Sequence, residues 1–166
     1  MAKPFAISAL AAATAVLAAA GAAYAGPGAD LARDAVQIQA EAGLRADALS
    51  RQPGAAAQAP DPDDDLIYAI EQFSADALRL SRFIDASGGS ADLGCIFRGM
   101  SADAEARLNA LIDAERASEQ ARVWRAIALL MEDAAVIAPD ADAETDAGAE
   151  ETANAPPLAC PAADPG

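Results

Sequence analysis

The chain has 166 residues, 50 of them alanine, with a formal net charge of −15 and no histidine. Without histidine there is no Ser-His-Asp or Cys-His catalysis and no histidine-ligated haem, zinc or copper. The one lysine, Lys3, lies in the leader, so the rest of the chain offers no Schiff-base, Walker or Ser-Lys lysine.

Residues 1–25 read as a secretory signal peptide. Lys3 gives a positive start, Phe5 to Ala20 is uncharged and apolar, and Ala23-Tyr24-Ala25 supplies an A-x-A cleavage site before Gly26. The apolar run is short and alanine-heavy for a membrane span of ~20 residues. Cleavage is therefore expected, leaving residues 26–166 in the periplasm or outside the cell with no membrane attachment. That part carries ten arginines against 26 acids. Such a balance argues against nucleic acid and anionic lipid as partners and in favour of cations or basic protein surfaces.

Alanine buries little area, so the apparent hydrophobicity overstates the core. After residue 25, 20 of the 26 Leu, Ile, Val and Phe residues fall between 65 and 138. The expectation is a helical core domain over 61–138. A weak helix and linker over 26–60 precede it, and an acidic tail over 139–166 follows. Residues 29–50 show a modest helical stripe of Leu31, Ala35, Ile38, Ala42 and Leu49, weakened by Gly43. The segment RQPGAAAQAP, 51–60, reads as a linker with a Pro-Gly break.

The clearest helix follows. Asp61 is expected as its N-cap and Pro62 at its first position, with Asp63, Asp64 and Asp65 favoured by the positive end of the helix dipole. These four aspartates also form a possible cation cluster, although capping accounts for each. Leu66, Ile70, Phe73, Ala77, Leu80 and Ile84 alternate in steps of four and three, a core-facing stripe. Ser87-Gly88-Gly89 should end the helix and Ser90 should cap the next.

The stretch ADLGCIFRGM has Leu93, Ile96, Phe97 and Met100 at helical spacing, with Gly94 and Gly99 costing roughly 1 kcal/mol each unless a neighbour packs closely there or Gly99 ends the turn. A helix is expected to restart at Ser101, with Ala104, Leu108, Leu111 and Ile112 inward. Residues 113–122 are polar at nearly every phase, which suggests a turn near Ser118 rather than one unbroken helix to 138. The stripe resumes with Val123, Ile127, Leu130, Ala134 and Ile137, beside Trp124 and Met131, until Pro139. β-branched and aromatic residues are too sparse for a sheet. The predicted fold is all-α, a small helical bundle of three to five helices.

The two cysteines allow one internal bridge, Cys95–Cys160, which in an oxidising compartment would tie the tail to the core. By the chain-entropy model a loop of this size is worth ~4 kcal/mol. A redox role for the pair is the alternative, but redox pairs usually lie close in sequence, as in C-x-x-C, with basic groups beside them, and here only Arg98 is near Cys95. In the tail, Asp140, Asp142, Glu144, Asp146 and Glu151 fall at positions 1, 3, 5, 7 and 12 of a calcium-loop spacing. Thr145 stands where that loop needs glycine, and no helix follows. Arg122, Trp124 and Arg125 have the residue types of an interface hot spot, or Trp124 borders the core stripe. Paired-carboxylate glycoside hydrolysis would need more aromatic surface than this chain has. No catalytic residues and no cofactor are therefore expected. The functional expectation is an exported protein-interaction or structural module without enzymatic activity. A low-affinity Ca²⁺ binder and a redox-responsive protein using Cys95 and Cys160 are the alternatives.

Overall fold

The computed structural model describes residues 26–61, 63–144 and 160. Among them are four long helices and no strand: α1 (Pro27–Ser50), α2 (Asp65–Ser87), α3 (Ala91–Asp113) and α4 (Ala117–Ile137). A 3-10 turn (Ala138–Asp140) and a single helical turn, α5 (Ala141–Glu144), complete the described chain. The expected signal peptide and most of the tail lie outside the described residues. No helix among the described residues is long and apolar enough to cross a membrane.

Neighbouring helices run in opposite directions. Ser74 meets Ser101 and Asp85 meets Arg98 across α2 and α3, while Gly28 lies by Ala138 and Ser50 by Arg125 across α1 and α4. The closest pairs are α1 with α4 and α2 with α3, and the two pairs pack on each other. Small residues explain the first pair. Ala32, Ala35, Ala42 and Ala46 of α1 and Ala117, Ala121 and Ala134 of α4 are all buried. Short side chains let the two backbones approach closely, which gives up area per residue but gains dispersion contacts. α1 is thus one of the four helices of the core rather than a weak flank of it; Leu31 and Ile38 join its alanines there.

α2 keeps its expected stripe. Leu66, Ile70, Phe73, Ala77, Leu80 and Ile84 are all buried, and Gly88 ends the helix at φ 75° in the left-handed region. Its start differs from expectation. Asp64, not Asp61, is the N-cap, its carboxylate accepting from the Leu66 N–H at 2.9 Å. Asp61 instead closes the preceding turn, accepting from the Asp63 N–H at 3.0 Å. Asp64 is drawn into the cap by Arg45 of α1, whose guanidinium grips both carboxylate oxygens.

α3 is continuous, so Ser101 does not restart a helix. Its hydroxyl is buried and lies 2.8 Å from that of Ser74, which removes the cost of a polar group at this packed position. Gly94 fits the expectation of close packing: a Cβ there would lie 2.7 Å from Asp85 Oδ1 of α2. Phe97, Met100, Ala104 and Leu111 face the core, but Ile96 and Ile112 are exposed, contrary to expectation. A helix carries only one core-facing arc, and Phe97 and Leu111 already occupy it.

The break between α3 and α4 falls at residues 114–116, just before the expected Ser118. Glu119 fixes it by accepting from the backbone N–H groups of Glu115 (2.9 Å) and Arg116 (3.2 Å). These bonds hold its carboxyl below the usual carboxylate range. The presumed linker also docks here. Ala57 N–H donates to Glu115 O (2.9 Å), and Ala117 N–H donates to Ala55 O (3.0 Å), a one-residue antiparallel bridge. The buried Gln120 side chain clasps the backbone N–H and C=O of Gln58. Residues 55–60 are therefore a strap across the α3–α4 turn.

At the opposite end the 3-10 turn and α5 return the chain to α1. The carboxylate of Asp142 accepts from the N–H groups of Gly28 (2.7 Å) and Ala29 (2.9 Å), supplying the cap that Gly26 cannot.

Candidate functional site

The outer face between α2 and α3 carries a groove of about 550 Å³. α2 lines it with Ile67, Glu71, Ser74, Ala75 and Leu78, and α3 with Ser101, Glu105, Leu108, Asn109 and Ile112; Pro60 of the strap closes one end. The spacing explains the site. On each helix these residues recur in helical steps on the arc beside the core stripe, so the two arcs form facing walls. Ile67 and Leu108 pack halfway into the core, while Ile112 is 67% exposed. On the floor, the single hydroxyl proton of Ser74 is shared between the Ser101 carbonyl (3.2 Å) and Glu105 Oε1 (3.1 Å), and Ser101 Oγ lies 2.8 Å from Ser74 Oγ. Glu71 and Glu105 are exposed, and no arginine is among the lining residues. Arg79 and Arg107, on the same helices, pair with Asp76 and Asp103. The groove is thus apolar with an acidic border. Ser74 is hydrogen-bonded to both Ser101 and Glu105 across its floor.

A second cluster lies where α2 ends and α3 begins. Cys95 and Cys160 form a disulfide with their Cα atoms 5.5 Å apart. Arg98, one turn beyond Cys95, donates from Nη2 to Cys95 Sγ (3.0 Å) and from Nε to Cys160 Sγ (3.3 Å). Its Nη1 donates to Asp85 Oδ2 (2.7 Å) and Ser81 Oγ (2.9 Å) on α2. The Arg98 and Asp85 side chains are only 14% and 7% exposed.

The remaining sequence candidates fall elsewhere. Trp124 is 6% exposed and belongs to the core, with the Arg45 guanidinium 5.1 Å from its ring centroid. It is not a surface anchor, because α4 turns it inward with Ile127 and Met131. Arg122 and Arg125 do lie outside, bordering a shallow depression with Ser50 and Arg116. Asp64 is committed to Arg45 and the α2 cap. The Arg45 hydrogen bond holds the Asp64 carboxyl below the usual carboxylate range, with the Leu66 N–H adding to the effect and partial burial opposing it. Asp61 accepts from the Asp63 N–H in the preceding turn, and Asp65 lies in the first turn of α2, where the helix dipole favours an acid.

In the calcium-loop spacing, Asp140 closes the 3-10 turn, while Asp142 and Glu144 lie in α5. Helical backbone does not give the wrapping that such a loop needs, and the Asp142 carboxylate is engaged by α1. Asp146 and Glu151 lie outside the described residues. Among the described residues, no group of three or more carboxylates or cysteines is placed to hold a metal ion. Sequence reasoning missed the α2/α3 groove, because Ile67 and Leu78 lie just off the α2 stripe and Ile112 reads as inward in the sequence. No family model, curated protein or solved structure matches the chain.

Proposed function

We propose that the protein is an exported, non-catalytic interaction module that holds a basic amphipathic segment of a partner protein in the α2/α3 groove. The observation that carries this reading is the groove itself: an apolar trough with Ile112 exposed, bordered by Glu71 and Glu105 and free of lining arginines. An amphipathic helix placing apolar side chains at steps of three and four in such a trough gains burial. Basic residues along its flanks meet the acidic border and the strongly acidic chain as a whole. Export is the reading of the leader, and a bridge between distant cysteines suits an oxidising compartment.

The test is fluorescence anisotropy with two labelled synthetic peptides that share one leucine pattern and differ only in arginine or glutamate on the polar face. The arginine peptide should bind at least about tenfold more tightly, and added salt should narrow the difference. Ile112→Asp should abolish binding without changing the circular dichroism. Equal binding of the two peptides, or full binding by I112D, would overturn the reading.

A further inference from the structure

We infer that the Cys95–Cys160 bridge is built for thiol–disulfide exchange, with Arg98 stabilising the Cys95 thiolate as it leaves. This inference is independent of the groove. Three features carry it. The guanidinium divides its donors, Nη2 to Cys95 Sγ, Nε to Cys160 Sγ and Nη1 to Asp85 and Ser81. Arg98 is therefore held from below and aimed at both sulfurs. Gly94 keeps the space open, since a Cβ there would press on Asp85 Oδ1 at 2.7 Å and reach within 3.6 Å of Arg98 Nη1. Finally, the two residues differ in exposure: Cys160 is exposed, whereas Cys95 is half-buried on α3.

A disulfide sulfur is a weak acceptor and gains little from a cationic donor. A thiolate is charged, and charge-assisted hydrogen bonds are about twice as strong as neutral ones. The guanidinium thus favours the state in which the bridge has opened over the state in which it is closed. Asp85 works in the other direction through its charge, but it sits on Nη1, away from the two donors that face sulfur. The structural alternative is that Arg98 is a packing residue whose contact with sulfur is incidental to its pairing with Asp85.

The co-reactant is an external thiolate, small or protein-borne. Its sulfur attacks the Sγ of Cys160, the more exposed of the two residues. A new S–S bond forms between the incoming sulfur and Cys160, the Cys95–Cys160 bond breaks, and its electron pair leaves on Cys95 as a thiolate bound to Arg98. The attacking sulfur is oxidised and Cys95 reduced, so the step balances without a further reagent. Cys95 can return the bond by attacking Cys160, or a second thiolate can attack the incoming sulfur and release Cys160.

Oxidised full-length protein, mixed with glutathione and quenched with N-ethylmaleimide, tests this by peptide mapping. The expected product carries glutathione on Cys160 and maleimide on Cys95. Arg98→Gln should slow its formation roughly tenfold, and Arg98→Lys should restore part of the rate. Because R98Q leaves Asp85 buried without its cation, the double variant Asp85→Asn/Arg98→Gln is measured beside it, with circular dichroism to show that both remain folded. The double variant should be as slow as R98Q. Glutathione on Cys95, or a folded double variant that reacts as fast as the native chain, would overturn the inference.

Discussion

Two glycines of α1 separate close packing from helix propensity. At Gly28 a Cβ would lie 2.1 Å from the Ala138 carbonyl oxygen and 2.9 Å from Asp142 Oδ1. The carbonyl belongs to the 3-10 turn and cannot rotate away as a side chain could. Gly28→Ala must therefore push α1 from the α4 end or break the two N–H bonds that Asp142 accepts. Overpacking of this kind costs about 1–3 kcal/mol, and loss of the cap adds about 1 kcal/mol. Alanine's better propensity returns at most ~1 kcal/mol, and less in the first turn. At Gly43 nothing beyond the adjoining residues and the helix's own backbone lies within 4 Å of the added Cβ. Gly43→Ala should stabilise the fold by about 0.5–1 kcal/mol, the full difference in propensity. Urea titrations of both variants with the disulfide intact, followed by circular dichroism, should place G28A below and G43A above the native midpoint at unchanged slope. If G28A matched or exceeded G43A, the close α1–α4 approach would be refuted.

The Arg45–Asp64 pair makes stability depend on acid. The folded Asp64 carboxyl lies below its unfolded value, so its contribution is fully present above the unfolded range near pH 4 and is lost as pH falls through the folded value. Asp64→Asn keeps a capping side chain but removes the charge. It should lower stability by about 1 kcal/mol at pH 7 and flatten the acid limb of a midpoint-against-pH plot; an unchanged limb would contradict the pairing. Cys160→Ser opens a loop with a sequence separation of 65 and should cost about 2–4 kcal/mol, read from denaturant midpoints in the absence of reductant. A midpoint within error of the native one would show that the bridge carries no stability.

The α2 stripe was legible because six core residues alternate four and three along one helix, and Gly88 because a helix end without a Cβ announces the left-handed cap. α1 was underrated for a physical reason: alanine scores low on any scale of buried area, yet its small size makes α1 and α4 the closest of the helix pairs. Ile96 and Ile112 were misplaced since an apolar residue one step off the stripe looks the same in sequence whether it faces the core or a groove. Contacts between distant segments left no local trace. Gln120 reaches Gln58 across 62 positions, and Asp142 reaches Gly28 across 114. The pairing of the cysteines needed only their number, whereas the division of Arg98 between two sulfurs and a buried aspartate required the fold.

Where a basic amphipathic peptide lands on the bundle tests the groove most directly. Isotope-labelled protein titrated with the arginine-flanked peptide should show chemical-shift changes concentrated on Ile67, Leu78, Leu108 and Ile112, with α1 and α4 silent. Changes centred on the α1/α4 face, or none at saturating peptide, would contradict it.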